Sequence, residues 1–423
     1  MDANSDNTQP VVSGSRSRPP RFHHRQRSHE SAHAEPSGAE PEVAAVDHPL
    51  IPNGTAQLVE NSADLTLLIE SLRQAGSFAY DSEFIGEQSY LPKLCLVQVG
   101  IPGGVSLIDP LAGVDLTPFW ELVCDASIEK IVHAGEQDVE PAFRAVGRPP
   151  ANVFDVQIAA GFVGLPYPLS LSKLMHELVG VRIGKGLTFT NWDARPLSGQ
   201  QLKYAADDVR YLPAARAELH NRLTDAGHLD WAIEESAERC KPGMHVFDPD
   251  GQYLKIRGAS ALEPRQLAVL RELTIWRDGA ARAADVPPRT LLRDECLLAL
   301  AKSPATHVEK LKRIRGLPRP VEAEHGETIV AATQKALSLA TAHLPPRHYT
   351  EPRPREKFDA DALWAAAQSM CYEQGIDPGL VGSRQEIVDL RRRTDDSSAR
   401  LLRGWRRTAL GEKLLARLGR RST

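Results

Sequence analysis

A short apolar run that ends in two carboxylates, Phe78-Ala-Tyr-Asp-Ser-Glu83, constrains this chain more than any other stretch. Its aromatic residues favour a buried β-strand, and Asp81 and Glu83 follow two residues apart. Because side chains alternate along a strand, both carboxylates are expected on one face. Neighbouring carboxylates repel each other, and burial raises the pKa of each. The run therefore predicts either a compensating partner (a shared proton, a basic side chain or a divalent cation) or a strand edge that enters a solvated loop.

Length and composition narrow the class of protein. A chain of 423 residues is too long for one hydrophobic core and predicts about two to four domains. Its 25% charged and 42% hydrophobic residues are typical of a soluble globular protein. Five dispersed cysteines without a Cys-x-x-Cys pair argue against disulfides or a thiolate zinc site and favour a reducing compartment. No apolar run reaches the length of a membrane span and no secretory signal is visible, so we expect a cytoplasmic protein.

Shifts in composition divide the chain into six segments. Residues 1–48 are rich in Ser, Pro, Arg and His with almost no large apolar side chain, which predicts a disordered tail. Strands followed by alternating helices and strands predict an α/β domain with a mixed sheet over 49–225. The other predicted segments are a connector (226–262), a helical domain (263–345), a Pro-rich linker (346–357) and a second helical domain of similar size (358–423).

Local patterns place the elements of the α/β domain. Apolar spacing predicts a helix over 62–72, followed by the strand that ends at Asp81. Pro102-Gly-Gly104 is hairpin turn chemistry between predicted strands at 94–101 and 105–108, so the sheet should begin antiparallel. Further along, the patterns predict a strand at 130–133 and helices at 118–123, 137–146, 156–163, 171–179 and 200–223.

Three further acidic positions stand where predicted strands end or helices begin. Asp138 falls in the first turn of a helix, where the helix dipole also favours an acid. Tyr204 and Asp208 are four residues apart and share a helix face, whereas Asp207 points about 100° away from Asp208. Among the neighbouring side chains, we interpret Asp155 as a helix cap, Asp207, Glu136 and Glu140 as solvated carboxylates, and His133 as a packed or hydrogen-bonded strand residue.

The order of these residues resembles a known superfamily. Asp81-Ser-Glu83, His133-Ala-Gly-Glu-Gln-Asp138 and Tyr204-x-x-x-Asp208 are similar to the three exonuclease motifs of the DEDD superfamily, in its tyrosine-containing branch. Asn191-Trp-Asp-Ala-Arg-Pro-Leu197 resembles the ribonuclease D family in particular, although Ser82 stands where that family usually has Thr. Segments 263–345 and 358–423 resemble HRDC domains, the second more loosely. The resemblance implies a ribonuclease H-like mixed-sheet exonuclease domain followed by two all-α HRDC-like helical domains.

The resemblance also implies a metal-dependent hydrolase. Two divalent cations about 3.5–4 Å apart clamp the attacking and departing oxygens in such sites, and hard oxygen ligands without cysteine indicate Mg²⁺ or Mn²⁺. By resemblance, Asp81 bridges the two metals, Glu83 and Asp208 complete one metal site, and Asp138 holds the other metal. Tyr204 and Glu83 are then expected to orient the attacking water, with Tyr204 acting as a neutral phenol rather than as a ligand.

We therefore expect a 3′→5′ exoribonuclease that releases nucleoside 5′-monophosphates from structured RNA, chiefly tRNA precursors. A 3′→5′ DNA exonuclease is one alternative, because the carboxylates do not choose the sugar. A second alternative is a non-catalytic RNA-binding protein of the same fold. A third is that the helical region mainly docks other proteins. The chain does not specify its oligomeric state.

Two basic runs are candidate phosphate contacts, with a solvated helix face as the alternative interpretation. The first run consists of Lys310, Lys312, Arg313, Arg315 and Arg319. The second run has eleven Arg or Lys and three acidic residues between Arg391 and Arg421.

Overall fold

The computed structural model describes residues 47–184, 190–241, 246–346, 354–392 and 399–418. The predicted disordered tail lies outside the described residues except for its last two positions, and so do residues 347–353 of the predicted linker. Within the described ranges, no helix has both the length and the apolar composition needed to cross a membrane.

A six-stranded mixed sheet forms the centre of the first domain, which confirms the predicted α/β class. Strands β2 and β3 pair antiparallel, as do β3 and β4, while the other pairs are parallel. The hairpin expected at Pro102 and Gly103 joins β3 to β4. The prediction that β2 ends at Asp81 is wrong, because its pairing with β3 continues beyond Glu83. In the order β1-β4-β3-β2-β5-β6, the strands are β1 (Gln57–Val59), β4 (Gly104–Ile108), β3 (Lys93–Ile101), β2 (Ser77–Ile85), β5 (Glu129–Val132) and β6 (Val153–Asp155).

Helices cover both faces of this sheet. The predicted helix over 200–223 is in fact two helices, α6 and α7, which meet at Tyr211. The helices of the first domain are α1 (Ser62–Ala75), α2 (Thr117–Val123), α3 (Glu136–Val146), α4 (Val156–Gly161), α5 (Leu171–Val179), α6 (Gly199–Arg210), α7 (Leu212–Ala226) and α8 (Leu229–Arg239).

Alternation along β2 divides the hydrophobic core and sets the direction of the carboxylates. Phe78 and Tyr80 pack on one face, where their ring centroids lie 5.9 and 6.0 Å from that of Phe119 in α2. Ala79 belongs to the core on the opposite face, which α6 covers. Asp81 has the same parity as Ala79, so its side chain is directed to the face on which α6 packs.

The predicted connector over 226–262 contains a helix and is not irregular throughout. α8 packs against β6 and α4 and buries Ala232 and Ser236. Four of its eleven residues are acidic, which weakens the apolar pattern that would have indicated a helix. The segment is therefore part of the first domain's packing up to residue 239.

The helical region that follows is confirmed, but its two parts pack differently. The first part encloses its own hydrophobic core and consists of α9 (Pro264–Ala283), α10 (Pro288–Leu291), α11 (Asp294–Lys302), α12 (Val308–Leu311) and α13 (Arg319–Leu337). The second part shares a core with the sheet domain and consists of α14 (Pro354–Glu373), which begins inside the predicted linker, α15 (Pro378–Val381), α16 (Arg384–Arg392), α17 (Gly404–Arg406), a π-turn (Arg407–Gly411) and α18 (Glu412–Arg417).

A buried aromatic contact joins this second part to the sheet domain. Trp405 packs edge-on against Phe162, with ring centroids 4.6 Å apart. The buried leucines Leu363 and Leu414 belong to the same core as Leu174 of α5. The segment predicted as a second helical domain therefore packs as a layer of the first domain.

Candidate metal centre

Three carboxylates from two distant parts of the chain converge beside the C-terminal half of β2, on one face of the sheet. β2 carries Asp81 and Glu83, and α6 brings Asp208 to the same face. One carboxylate oxygen from each residue lies within 4.8 Å of one from each of the others. Asp81 and Glu83 are partly buried and Asp208 is buried. The spacing of two along a strand and the position of α6 thus produce a concentrated set of negative groups.

Gly100 in β3 has no side chain, and this lets α6 pack close enough to β3 to bring Asp208 into the cluster. A Cβ on Gly100 would lie 2.8 Å from the backbone oxygen of Val209, which is too close for any larger residue. At its start, α6 is fixed by a capping box between Ser198 and Gln201. These two features place the C-terminal half of α6 across β3 and beside β2.

Asp138 lies near Asp81 but outside the three-carboxylate cluster. It stands in the first turn of α3, directly after β5 and a short loop. It shares a cavity of about 500 Å³ with Asp81, Ser82 and His133. Burial raises the pKa of Asp138 well above its usual value, and the charge of Asp81 raises it further. The fourth predicted carboxylate therefore interacts electrostatically with the cluster from across this cavity.

Burial and mutual repulsion dominate the electrostatics of the cluster. Burial raises the pKa of Asp81 to about 6. Burial and the charge of Asp81 raise the pKa of Glu83 to about 8. Burial and the charges of Asp81 and Glu83 raise the pKa of Asp208 to about 9. In the described parts of the chain no ion pair reaches Asp81, Glu83, Asp138 or Asp208.

The donor set fits divalent cations. Asp208 Oδ2 is buried without a hydrogen-bond partner among the described residues, and such an orphaned polar atom is costly unless a ligand satisfies it. The cluster offers carboxylate oxygens alone, which are the ligands that Mg²⁺, Mn²⁺ and Ca²⁺ prefer. A bound cation would also remove the repulsion that raises the three pKa values.

Tyr204 stands one helical turn before Asp208 and is half-buried. Burial and the charge of Asp208 raise the pKa of its phenol, so the hydroxyl is neutral at physiological pH. The indole of Trp192 lies beside its ring, with centroids 6.1 Å apart. Tyr204 thus presents a neutral hydroxyl to the carboxylate cluster from a supported position.

Arg195 is a site-shaping residue that sequence reasoning did not single out. Its guanidinium donates to both carboxylate oxygens of Asp109, at 2.5 and 2.7 Å, and to the backbone oxygen of Cys95 at 2.7 Å. It also donates to the backbone oxygens of Trp192 and Ala194, each at 2.8 Å. These bonds tie the segment before α6 to β3. The motif that contains Arg195 was visible, but its partners lie 86 and 100 residues away in sequence.

The other carboxylates near the motifs do not join the cluster. Asp155 caps α4, as predicted. Asp207 is buried and pairs with Lys203 at 3.2 Å and Arg210 at 3.4 Å, so the prediction that it is solvated is wrong. The misjudgement arose because helical periodicity shows that Asp207 leaves the face of Asp208 but not what it then meets.

His133, Glu136 and Glu140 lie beside the cavity or on the helix that follows it. His133 Nε2 lies 2.9 Å from the backbone oxygen of Leu169, in agreement with a hydrogen-bonded residue at a strand end. Both predicted solvated glutamates are partly exposed and each has one ion pair, Glu136 with Arg239 and Glu140 with Arg144.

The two basic runs differ in exposure. In the first run, the five residues Lys310, Lys312, Arg313, Arg315 and Arg319 are exposed, and Lys312 and Arg319 line a groove of about 1010 Å³ beside α12 and α13. In the second run, Arg406 is buried against Glu235 and Arg400 pairs with Glu386. Part of the second run is therefore engaged in structural ion pairs, and its residues 393–398 and 419–421 lie outside the described ranges.

Comparison with known proteins gives the class to which this fold and this site belong. A family description of 3′-5′ exonuclease domains matches residues 56–224, and one of HRDC domains matches residues 266–333. The sheet domain with its acidic cluster is a 3′-5′ exonuclease, a class that depends on divalent metal.

Full-length relatives give the family. Ribonuclease D of Gluconacetobacter diazotrophicus is 35% identical over 362 residues, which cover 85% of this chain and 92% of the relative. Ribonuclease D of Granulibacter bethesdensis is 33% identical over 367 residues, with coverage of 85% and 91%. The crystal structure of Escherichia coli RNase D matches with a TM-score of 0.76 at 30% identity, covering 86% of this chain and 98% of that chain. The chain belongs to the ribonuclease D family and is a 3′-5′ exoribonuclease.

Proposed function

We propose that this enzyme trims the 3′ ends of structured RNA, such as tRNA precursors, and releases nucleoside 5′-monophosphates with the help of two Mg²⁺ or Mn²⁺ ions. The observation that carries the proposal is the convergence of Asp81, Glu83 and Asp208 within 4.8 Å, with no basic side chain to neutralise them in the described ranges. The E. coli relative is described as an exoribonuclease involved in structured RNA processing, which supports the substrate class.

The proposed metal ligands are Asp81, Glu83, Asp138 and Asp208. Their oxygens are hard donors, and Asp138 faces the cavity that it shares with Asp81. When bound, the cations would supply positive charge to the scissile phosphate and lower the pKa of the attacking water. With cations present all four carboxylates are ionised at neutral pH, because the repulsion that raises their pKa values is then compensated.

Glu83 and Tyr204 are the proposed water-orienting pair. Glu83 is a carboxylate of the cluster whose charge acts on both Asp208 and Tyr204. The Tyr204 phenol is neutral and can donate one hydrogen bond while accepting another. A fixed donor and a fixed acceptor hold a water molecule in one orientation, which is the positioning that in-line attack on phosphorus requires.

The exposed basic run between α12 and α13 is the proposed contact for the RNA backbone. Its five cationic side chains are exposed and two of them, Lys312 and Arg319, line an open groove. Contacts to phosphate position RNA without reading its sequence. RNA affinity should therefore fall steeply between about 50 and 200 mM salt. An affinity that is flat across this range would contradict the assignment.

The domain organisation and the cellular compartment of the protein can also be proposed. We propose an exonuclease domain over 49–225 that α8 extends to residue 239, an HRDC domain over 263–345 and a second HRDC-like unit over 358–423 that docks on the exonuclease domain. All five cysteines are buried free thiols, which supports the proposed location in the reducing cytoplasm.

The direct test is degradation of one RNA labelled at its 3′ end or at its 5′ end, with and without EDTA. A 3′ label should be released at once as a mononucleotide, and a 5′ label should pass through a ladder of shortening products. EDTA should stop both. A matched DNA oligomer tests the sugar, and faster digestion of the DNA would overturn the preference for RNA.

A further inference from the structure

One buried carboxylate, that of Asp155, connects the start of α4 to the loop between β5 and α3. Its Oδ1 accepts hydrogen bonds from the backbone N–H groups of Gln157 at 2.8 Å and Ile158 at 3.4 Å, which is an ordinary helix cap. It also accepts two bonds that a cap does not need. The N–H of Ala134 donates to Oδ1 at 3.1 Å, and that of Gly135 donates to Oδ2 at 3.2 Å.

The loop that receives these two extra bonds is tight and conformationally unfavourable. Ala134 has φ +55°, a left-handed conformation that residues with a Cβ rarely adopt. A Cβ on Gly135 would lie 2.6 Å from the Cβ of Val132, so the backbone there passes directly over the end of β5. Such a loop persists only where its surroundings hold it. Asp155 is the residue that holds it.

The direction of α3 depends on this loop. α3 begins at Glu136, directly after Gly135, and Asp138 occupies its first turn. A change at Ala134 or Gly135 would therefore rotate or shift the turn that carries Asp138. Asp155 itself is buried and is not among the residues that line the cavity beside Asp81.

We propose that Asp155 is a positioning residue that fixes the Asp138 carboxylate toward the cavity it shares with Asp81. The inference rests on the proposed role of Asp138 in the metal site. α8 supplies a second anchor, because Ser236 Oγ accepts the backbone N–H of Asp155 at 3.3 Å and donates to the backbone oxygen of Ala232 at 2.8 Å. The cap residue is thereby held on its backbone as well as through its side chain.

Asp155→Asn separates the two tasks of this side chain. The asparagine retains an oxygen that can cap α4, but its amide group turns a donor toward the N–H of Gly135. We expect kcat on a 3′-labelled RNA to fall about tenfold or more, with KM within about twofold, because a small displacement of a reacting group costs turnover more than binding.

Hydrogen exchange on the metal-free protein in EDTA gives a readout that does not depend on activity. In Asp155→Asn, the amides of residues 133–140 should exchange about tenfold faster, while those of 156–163 keep the protection of the wild type. This result would stand even if the protein lacked ribonuclease activity. It therefore distinguishes failure of the positioning role from failure of the proposed function.

Two further variants act as control and rescue. Asp377 caps α15 through a 2.7 Å bond from the N–H of Gly379, and Asp377→Asn should leave kcat within about twofold of the wild type. Ala134→Gly in the Asp155→Asn background removes the cost of the left-handed conformation and should restore part of the lost kcat. Ser236→Ala, a milder change at the backbone anchor, should lower kcat about threefold without loss of the fold.

The outcomes divide clearly. A selective rise in exchange at 133–140 with a fall in kcat supports the positioning role. An Asp155→Asn enzyme with unchanged kcat, or one in which 133–140 and 156–163 exchange equally fast, would overturn it, since Asp155 would then serve the fold alone. A double variant no more active than Asp155→Asn would overturn the part assigned to Ala134.

Discussion

Two acidic sites in this enzyme, the metal centre and the site around Glu235, have opposite electrostatics. At the metal centre, Asp81, Glu83 and Asp208 stand together without a basic partner in the described chain, and each pKa is raised. Between α8 and the C-terminal helices, Glu235 is buried as well. There, hydrogen bonds and charge from Arg406 outweigh the effect of burial and hold the pKa of Glu235 below its usual value.

The partners of Glu235 explain the difference. Arg406 donates to both its carboxylate oxygens, at 2.5 and 2.8 Å, and Trp405 Nε1 donates at 2.8 Å. Arg406 also donates to the backbone oxygens of Val381 and Leu380. The charge of Glu235 is matched by arginine inside the protein, whereas the carboxylates of the metal centre have no basic partner in the described chain and are neutralised by protons or by bound cations. An unmatched buried cluster marks function, and a matched one marks a joint between parts of the fold.

The largest expected effect is the loss of activity in Asp208→Asn, compared with Asp207→Asn beside it. Removing a metal ligand should lower kcat about 10⁴-fold. Asp207 pairs with Lys203 and Arg210 outside the cluster, so its substitution should cost less than about tenfold. Single-turnover digestion of a 3′-labelled RNA measures both. An equal loss of kcat in the two variants would contradict the assignment of Asp208, but not Asp207, to the metal-binding cluster.

The next effect concerns the matched cluster. Glu235→Gln leaves the buried Arg406 guanidinium without its counter-charge and should lower the free energy of unfolding by about 3–5 kcal/mol. The exposed pair of Arg222 and Glu218 is the control, since Glu218→Gln should change stability by less than about 1 kcal/mol. Urea unfolding followed by circular dichroism tests both. A Glu235→Gln protein as stable as Glu218→Gln would mean that the joint contributes little.

A smaller loss is expected for Tyr204→Phe. Without the hydroxyl that orients water, kcat should fall about 100-fold, while the affinity for Mn²⁺ stays within about twofold because a neutral phenol is a poor ligand. Steady-state kinetics and calorimetric titration separate the two properties. A large loss of Mn²⁺ affinity would instead make Tyr204 a ligand.

The smallest effect is a pH dependence of the metal-free protein. Carboxyl groups with a raised pKa stabilise the fold fully below their unfolded pKa, and that contribution is lost as pH rises through the folded value. Because Asp81, Glu83 and Asp208 have pKa values of about 6, 8 and 9, the thermal midpoint in EDTA should fall by more than roughly 5 °C between pH 5 and pH 9. Asp208→Asn should flatten the decline. A midpoint that rises over this range would contradict the assigned shifts.

Sequence patterns predicted the elements whose signals are local. The turn at Pro102 and Gly103 marked the hairpin, and the spacing of Asp81, Glu83, Tyr204 and Asp208 indicated shared faces. Pairing beyond Asp81 could not be predicted, because the partner strand decides where a strand ends. The three-residue strands β1 and β6 were also missed, since so short a run carries no period.

Contacts between residues far apart in the chain could not be predicted from the sequence. Glu235 and Arg406 are 171 residues apart, and Arg195 and Asp109 are 86 apart. Each residue alone looks like an ordinary surface charge, and only the folded chain shows that it is buried and paired. The extra hydrogen bonds of Asp155 to Ala134 and Gly135 were hidden for the same reason, because a helix cap accounts for an aspartate at that position without them.

The central claim is that the cluster is partly protonated at neutral pH when empty and fully ionised when it binds metal. Calorimetric titration with Mn²⁺ at pH 7, in buffers of different ionisation enthalpy, counts the protons released on binding. With Glu83 and Asp208 titrating near 8 and 9, more than one proton should leave per protein molecule, and Asp208→Asn should release about one fewer. A heat of binding that is the same in every buffer, and so shows no proton release, would contradict the account.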